Sequence, residues 1–246
     1  MTKSPSLLPI YEDNHLLVVN KPAGLLVQAD QTGDFTLGDL AKEYIKEKYE
    51  KPGEVFLGTV HRLDRPVSGI VVFGRTSKGL ERMNELFRNR KVQKTYWAIV
   101  SRKPPKPKGR LVHWLVKDEA KNFVQAYEQK RPNSQKAELS YRVIGTLNKH
   151  YLIEVEPHTG RPHQIRVQLA SMGCPIRGDL KYGYPHPHGD GRSICLHARR
   201  LYFEHPIRKN PMLCVATLPD DPFWQDFLAI NDEEVKPEHL EFRFEA

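Results

Sequence analysis

The sequence predicts an α+β fold built around a largely antiparallel sheet. Two observations carry this. Apolar segments of strand length follow one another with no helix between them in the middle of the chain. Segments with helical spacing are few and irregularly placed, so the repeating strand-helix-strand order of a doubly wound parallel sheet is missing.

Taken in order, Leu16 to Asn20 is a short apolar run that reads as a buried strand, and Lys21-Pro22-Ala23-Gly24 is the turn after it. Leu37, Leu40, Ala41, Tyr44 and Ile45 recur at helical spacing, with Thr36 as the N-cap. Gly69 to Gly74 is a second buried strand. Leu80, Met83, Leu86 and Phe87 mark a helix, with Arg82, Arg88 and Arg90 towards its polar side. Lys94 to Val100 is a strand with Tyr96, Ala98 and Val100 on one face and Thr95, Trp97 and Ile99 on the other. The run RKPPKPKGR, Arg102 to Arg110, has three prolines and five cations. It is expected as an exposed loop, either a solvated connector or a phosphate contact. Ala137 to Gly145 and Tyr151 to Glu156 form a hairpin. Ile165, Leu169 and Met172 fit one helix face, with Pro162 in the first turn. Ser193 to Phe203 returns to strand character. There is no internal repeat. The last forty residues, including Asp220, Asp221, Glu233, Glu234 and Glu238, are more acidic and carry no motif.

Composition narrows the function. Thirty-eight basic against thirty acidic residues leave a formal +8. The charge favours an anionic partner, above all nucleic acid, although solubility alone explains such a charge in many proteins. Three cysteines, Cys174, Cys195 and Cys214, are an odd number without CxxC spacing, which points to a reducing cytoplasm. No apolar run approaches the roughly 20 residues of a membrane span. Leu16 to Val19 is too short for a signal sequence and follows Glu12 and Asp13. There is no GxxxxGKS/T loop for nucleotide hydrolysis and no GxSxG nucleophile elbow. His186, His188, Cys195, His197 and His205 match no zinc spacing, so no metal site is expected.

The informative stretch is HRLDRPVSG, His61 to Gly69. It sets one carboxylate, Asp64, among His61, Arg62 and Arg65, directly before the apolar run Ile70 to Phe73. The plain alternative is a surface ion-pair cluster. A second segment, GRPHQIR from Gly160 to Arg166, adds two arginines, a histidine and a glutamine. One acid amid many cations suits an enzyme that holds a polyanion and does its chemistry with a single carboxylate.

Five segments in order carry a family resemblance: YEDNHLLVVNKPAGLLV (Tyr11 to Val27), HRLDRPVSG, KTYWAIV (Lys94 to Val100), GRPHQIRVQLASMGCPIRGDLKYG (Gly160 to Gly183) and CLHARRLYFEHP (Cys195 to Pro206). Together they resemble the RluA-type RNA pseudouridine synthases. The resemblance implies that family's fold, a mixed curved sheet with flanking helices and an RNA-binding cleft. With the first motif starting by Tyr11, the expectation is a single catalytic domain over 1–246, with core motifs at about 11–206. It has no separate N-terminal RNA-binding domain, as in the shorter members RluA and TruC. The implied activity is isomerisation of specific uridines to pseudouridine in ribosomal RNA, transfer RNA or both, by a cytoplasmic monomer.

That reaction detaches uracil from ribose, turns it and rejoins it through carbon 5. There is no redox change and no water is consumed, so no cofactor or metal is expected. A carboxylate is needed at the sugar, either as nucleophile on the anomeric carbon or as a base giving a glycal-like intermediate. The resemblance assigns this role to Asp64. It makes Arg166 the arginine that fixes the direction of Asp64, and Tyr96 the ring stacked on the target base. A base in folded RNA must flip out to be reached. Arg62 is the candidate to fill the vacated space, and His61 to position the loop. Lys21, Arg161 and His163 are candidate phosphate or loop contacts. The chain departs from the family at Val67 and Pro162, where threonine is frequent, which bears on substrate choice. A non-catalytic RNA-binding protein is the rival reading from another class.

Overall fold

The computed structural model describes residues 7–228. In chain order the elements are β1 (Pro9–Glu12), β2 (Leu16–Lys21), α1 (Leu37–Lys48), β3 (Gly58–Thr59), β4 (Ser68–Gly74), α2 (Ser77–Arg88) and β5 (Val92–Val100). Then follow β6 (Lys108–Asp118), β7 (Phe123–Tyr127), β8 (Gln135–Leu147), β9 (His150–Pro157) and α3 (Gln164–Ser171). A short 3-10 turn (Leu180–Tyr182) leads to β10 (Leu196–Glu204), β11 (Pro211–Val215) and α4 (Pro222–Leu228). The fold is α+β and its strand pairs are overwhelmingly antiparallel. The chain forms two compact units. One holds residues 7–93 with Ala198–Thr217, the other Lys94–His197 with 218–228.

In the first unit the strands run β1-β2-β4-β10, with β3 on β4 and β11 on β10. Leu16, Leu17, Val18 and Val19 are all fully buried. Burial on both faces explains four consecutive apolar residues where a half-exposed strand would alternate. Thr36 caps α1 with a reciprocal capping box: its hydroxyl accepts from Asp39 N (3.2 Å), and the Asp39 carboxylate accepts from Thr36 N (3.0 Å). Met83 of α2 packs among Leu16, Val18, Ile70 and Val72. Gly74 lets that helix approach: a Cβ there would lie 2.7 Å from Leu80 Cα.

In the second unit the order is β5-β9-β8-β6-β7, every neighbour antiparallel. The β8–β9 hairpin turns on Asn148 and Lys149, both left-handed at φ 46° and 64°, as a two-residue hairpin turn of matching twist requires. Leu115, Val124, Ala137, Val167 and Tyr182 form the core under α3.

Several expectations change. The loop after β5 ends at Pro107, and Lys108 to Arg110 already belong to β6. The prolines forbid a ladder only as far as they extend. Pro162 is not in the first turn of α3, because the helix starts at Gln164 behind a left-handed His163. That helix does not have one apolar face either: Gln164, Arg166 and Gln168 are buried together with Ile165, Val167 and Leu169. β10 starts at Leu196, not Ser193. Glu233, Glu234 and Glu238 lie outside the described residues. Among the described residues no helix is long and apolar enough to cross a membrane.

Candidate active site

The HRLDR loop begins where β3 parts from β4. Gly58 and Thr59 pair with Gly74 and Phe73, and Val60 N donates to Val72 O (3.2 Å). The next donor in the ladder, Val72 N, goes to His61 Nε2 (3.2 Å), so a side chain takes over where the strand backbone leaves. The imidazole also stacks on Phe87 of α2 at 4.7 Å between centroids. His61 thus joins the start of the loop to both β4 and α2. Leu63 is buried and anchors it, Asp64 is half-buried, and Arg62 and Arg65 are exposed. The Asp64 carbonyl accepts from Val67 N (3.0 Å), closing a turn over Arg65-Pro66. Val67 is buried, and its backbone rather than a side-chain hydroxyl makes that closure.

The KPAG turn holds the same loop from the other side. Lys21 is 0% exposed, and its ammonium donates to the carbonyls of Pro22 (3.0 Å), Leu25 (2.7 Å) and Arg65 (3.1 Å). An ammonium has three donors, so of the two expectations for Lys21 this geometry supports the loop contact and not the phosphate contact. Burial pushes its pKa down to about 7, against an upward pull from Asp64. Gly24 N donates to Arg65 O (2.8 Å), and Arg65 Nε returns a bond to Gly24 O (3.0 Å). Arg65 also pairs with Asp34 (2.8 Å). The residue after Asp64 is thus clamped at backbone and side chain. Arg65 and Gly24 received no role from sequence, although both lie inside recognised motifs.

In the second unit Arg161, His163 and Arg166 share one turn and helix. Arg166 is 5% exposed, and Nε and Nη2 make a bidentate pair with Asp179, both at 2.8 Å. Its guanidinium also lies over the Tyr182 ring (5.1 Å). It is no helix-surface arginine. Asp179, itself 1% exposed, is the partner of Arg166 that sequence reasoning did not single out. His163 Nδ1 is hydrogen-bonded to Tyr182 Oη at 2.7 Å. Gln164 folds the turn: Oε1 accepts from Arg161 N (3.0 Å) and Thr159 Oγ1 (2.7 Å), and Nε2 donates to Glu138 O (2.9 Å). Arg161 Nε donates to Lys136 O (3.2 Å). Tyr96 is half-buried on β5 opposite Val155.

Three of the histidines weighed as a metal set have separate contacts. His205 meets Asp13 (3.1 Å), His188 meets Asp221 (3.1 Å), and His197 packs near Trp224. Burial pushes the Cys195 and Cys214 thiols up, Cys214 to about 12.

Residues 15–171 match the family described as RNA pseudouridylate synthase. The chain belongs to that family. It is 34% identical over 211 residues to a ribosomal large subunit pseudouridine synthase C of Vibrio vulnificus, covering 83% of this chain and 64% of that relative. It is 29% identical over 237 residues to a tRNA pseudouridine synthase C of Vibrio cholerae, covering 89% and 93%. The chain therefore spans a little under two thirds of the first relative and nearly all of the second. A solved structure, human RNA Pseudouridylate Synthase Domain Containing 4, superposes with a TM-score of 0.74 at 28% identity, covering 90% of this chain and 92% of that one.

Proposed function

We infer that this chain isomerises uridine to pseudouridine in ribosomal RNA, transfer RNA or both, with Asp64 as the reacting carboxylate. One observation carries the reading. In a member of this family, Asp64 is half-exposed on a loop held by the His61 side chain and by backbone bonds at Arg65 and Val67, flanked by exposed arginines that suit a polyanion. A group that attacks or deprotonates a sugar must be held still.

The bond between ribose carbon 1′ and uracil N1 breaks, and one from carbon 1′ to carbon 5 forms. N1 gains a proton and carbon 5 loses one to solvent. Atoms balance with no oxidant, water or cofactor. Asp64 acts at the sugar by either the nucleophilic or the glycal route. Tyr96 is the surface for the turned base. Arg166, the arginine the family resemblance makes the orienting one, is itself fixed by its bidentate pair with Asp179. Arg62 contacts the flipped nucleotide. Arg161 and His163 support the turn before α3. The protein works as a cytoplasmic monomer, which its three unpaired, buried cysteines suit.

The test is tritium release from RNA carrying tritium at uridine carbon 5. Release to water by the purified protein is expected. A protein that binds the RNA and releases none is a binding module, the rival reading. Selective chemical mapping of pseudouridines with and without the gene then identifies the target, because the product has the mass of the substrate.

A further inference from the structure

The β6–β7–β8 sheet of the second unit has two contrasting faces. Directly opposed residues of antiparallel neighbours share a face. Ala137, Leu139 and Tyr141 point into the core at 0%, 0% and 6% exposure. The alternate residues form the outward face. There Tyr127, Trp114 and Lys136 lie side by side across three strands, and Arg110 and Lys108 follow along β6, with Arg142 opposite Lys108. Val112 between them is 43% exposed.

This face combines aromatic rings with cations. Lys130 Nζ sits over the Trp114 ring at 5.6 Å, and the Arg131 guanidinium over Tyr127 at 5.4 Å. Glu138 is the acid in the middle of the face, and Arg110 and Lys136 both pair with it. Arg142 pairs with Glu154. Lys108, Lys130 and Arg131 are exposed and take part in no ion pair among the described residues. The basic run Arg102 to Pro107 leads straight onto the Lys108 end of the face.

Neighbouring rings on a sheet, each covered by a cation on a long flexible stem, suit unpaired nucleotides. A base stacks on the ring and the cation turns to the phosphate. A solvated charged face has no need of Trp114 and Tyr127 in register, and a duplex offers no base faces to them. We propose that the outward face of β6–β7–β8 is a second RNA-contact surface that binds unpaired nucleotides, with Trp114 and Tyr127 as stacking platforms. It rests on the RNA reading of the proposed function and not on its chemistry.

The probes are a labelled 16-nucleotide oligouridylate and a labelled 16-base-pair RNA duplex, followed by fluorescence anisotropy with the full chain. Two variants are compared. Lys130→Glu with Arg131→Glu alters exposed side chains alone. Trp114→Ala with Tyr127→Ala removes both rings, and its melting temperature shows whether the sheet persists. The charge variant is expected to weaken oligouridylate binding at least fivefold at 0.1 M salt. The aromatic variant is expected to weaken it about tenfold while changing duplex binding less than twofold, since stacking acts on unpaired bases. Oligouridylate affinity within twofold of wild type in the charge variant overturns the proposal. So does a folded aromatic variant that loses single-stranded and duplex RNA equally or loses neither. If the aromatic variant fails to fold, Trp114→Phe with Tyr127→Phe replaces it and is expected to keep affinity within threefold; a larger loss assigns the contact to the polar atoms and overturns the stacking role. Tritium release plays no part in these readouts, so a failure of the catalytic reading is seen separately.

Discussion

Asp64→Asn is expected to abolish turnover while fold and RNA affinity stay near wild type. Asparagine keeps the shape of the side chain and loses the nucleophilic or basic oxygen. The loss of a group acting directly in bond making costs roughly 10³-fold or more in rate. Single-turnover tritium release, RNA affinity and melting temperature on this variant are the measurements, and catalysis within tenfold of wild type would sink the assignment. Asp179→Asn tests the support beneath Arg166. The buried pair loses its charge but keeps one hydrogen bond, so kcat should fall more than tenfold with KM nearly unchanged. Asp179→Ala, which strands a buried guanidinium, should also cost about 3–5 kcal/mol of stability. Lys21→Met should destabilise by about 1–3 kcal/mol, because buried carbonyls lose a donor. Its pH dependence has a definite sign. With a folded pKa near 7, below the unfolded value of about 10.5, the unfolded chain binds the extra proton between these values. The wild-type advantage over Lys21→Met is thus smallest below pH 7 and grows as pH rises towards 10.5. Urea melts at pH 6 and pH 9 measure it, and an advantage that shrinks would mean the three carbonyls outweigh burial. At this scale Asp64 and Arg166 were singled out by motifs as candidates. Asp179, Arg65 and Gln164 were not, because each acts through a backbone atom or a partner that only folding brings near.

Among the elements, buried ones were the most readable. β2 and β4 each hold four consecutive apolar residues, Leu16–Val19 and Ile70–Phe73, and α1 announces itself by its N-cap Thr36 as well as by spacing. β6 and β7 escaped because the outward face of β6 runs Lys108, Arg110, Val112 and Trp114 and that of β7 carries Gln125 and Tyr127, so neither shows a plain apolar–polar alternation, and a proline-rich run masks where β6 begins. The β8–β9 hairpin was visible in its strands but not in its turn, since Asn-Lys lacks the glycine that usually marks such a turn. Lys149 at φ 64° carries a Cβ in the left-handed region. Lys149→Gly should therefore stabilise the chain, by about 0.5–1 kcal/mol after the entropy glycine adds to the unfolded state. A melting temperature unchanged or lowered would show that the Lys149 side chain contributes something its exposure does not suggest.

For the whole molecule, the division into two compact units left no mark in composition. One boundary falls between Gln93 and Lys94 and another between His197 and Ala198, inside β5 and β10, where neither proline nor glycine runs nor a charge block signals a linker. Net charge was legible from the start, and it supports a prediction that belongs to no single residue. With +8 overall and exposed cations on both the HRLDR loop and the β6–β8 face, RNA should be held through many phosphates at once. Each contact releases counterions, and affinity falls by about 0.7 in log K per contact for each tenfold rise in salt with single strands, or 0.9 with duplex. Four to eight contacts, a reasonable span for these surfaces, give a slope on the order of −3 to −7 for a structured RNA. Binding measured from 50 to 300 mM potassium chloride reads the slope directly. Because the cations are spread over separate surfaces, neutralising Arg62 alone should change the slope by about one contact and leave most of it intact. A slope near zero would mean that the positive charge is solvation and not recognition, and a slope lost entirely with Arg62→Gln would place the whole electrostatic contribution on one loop.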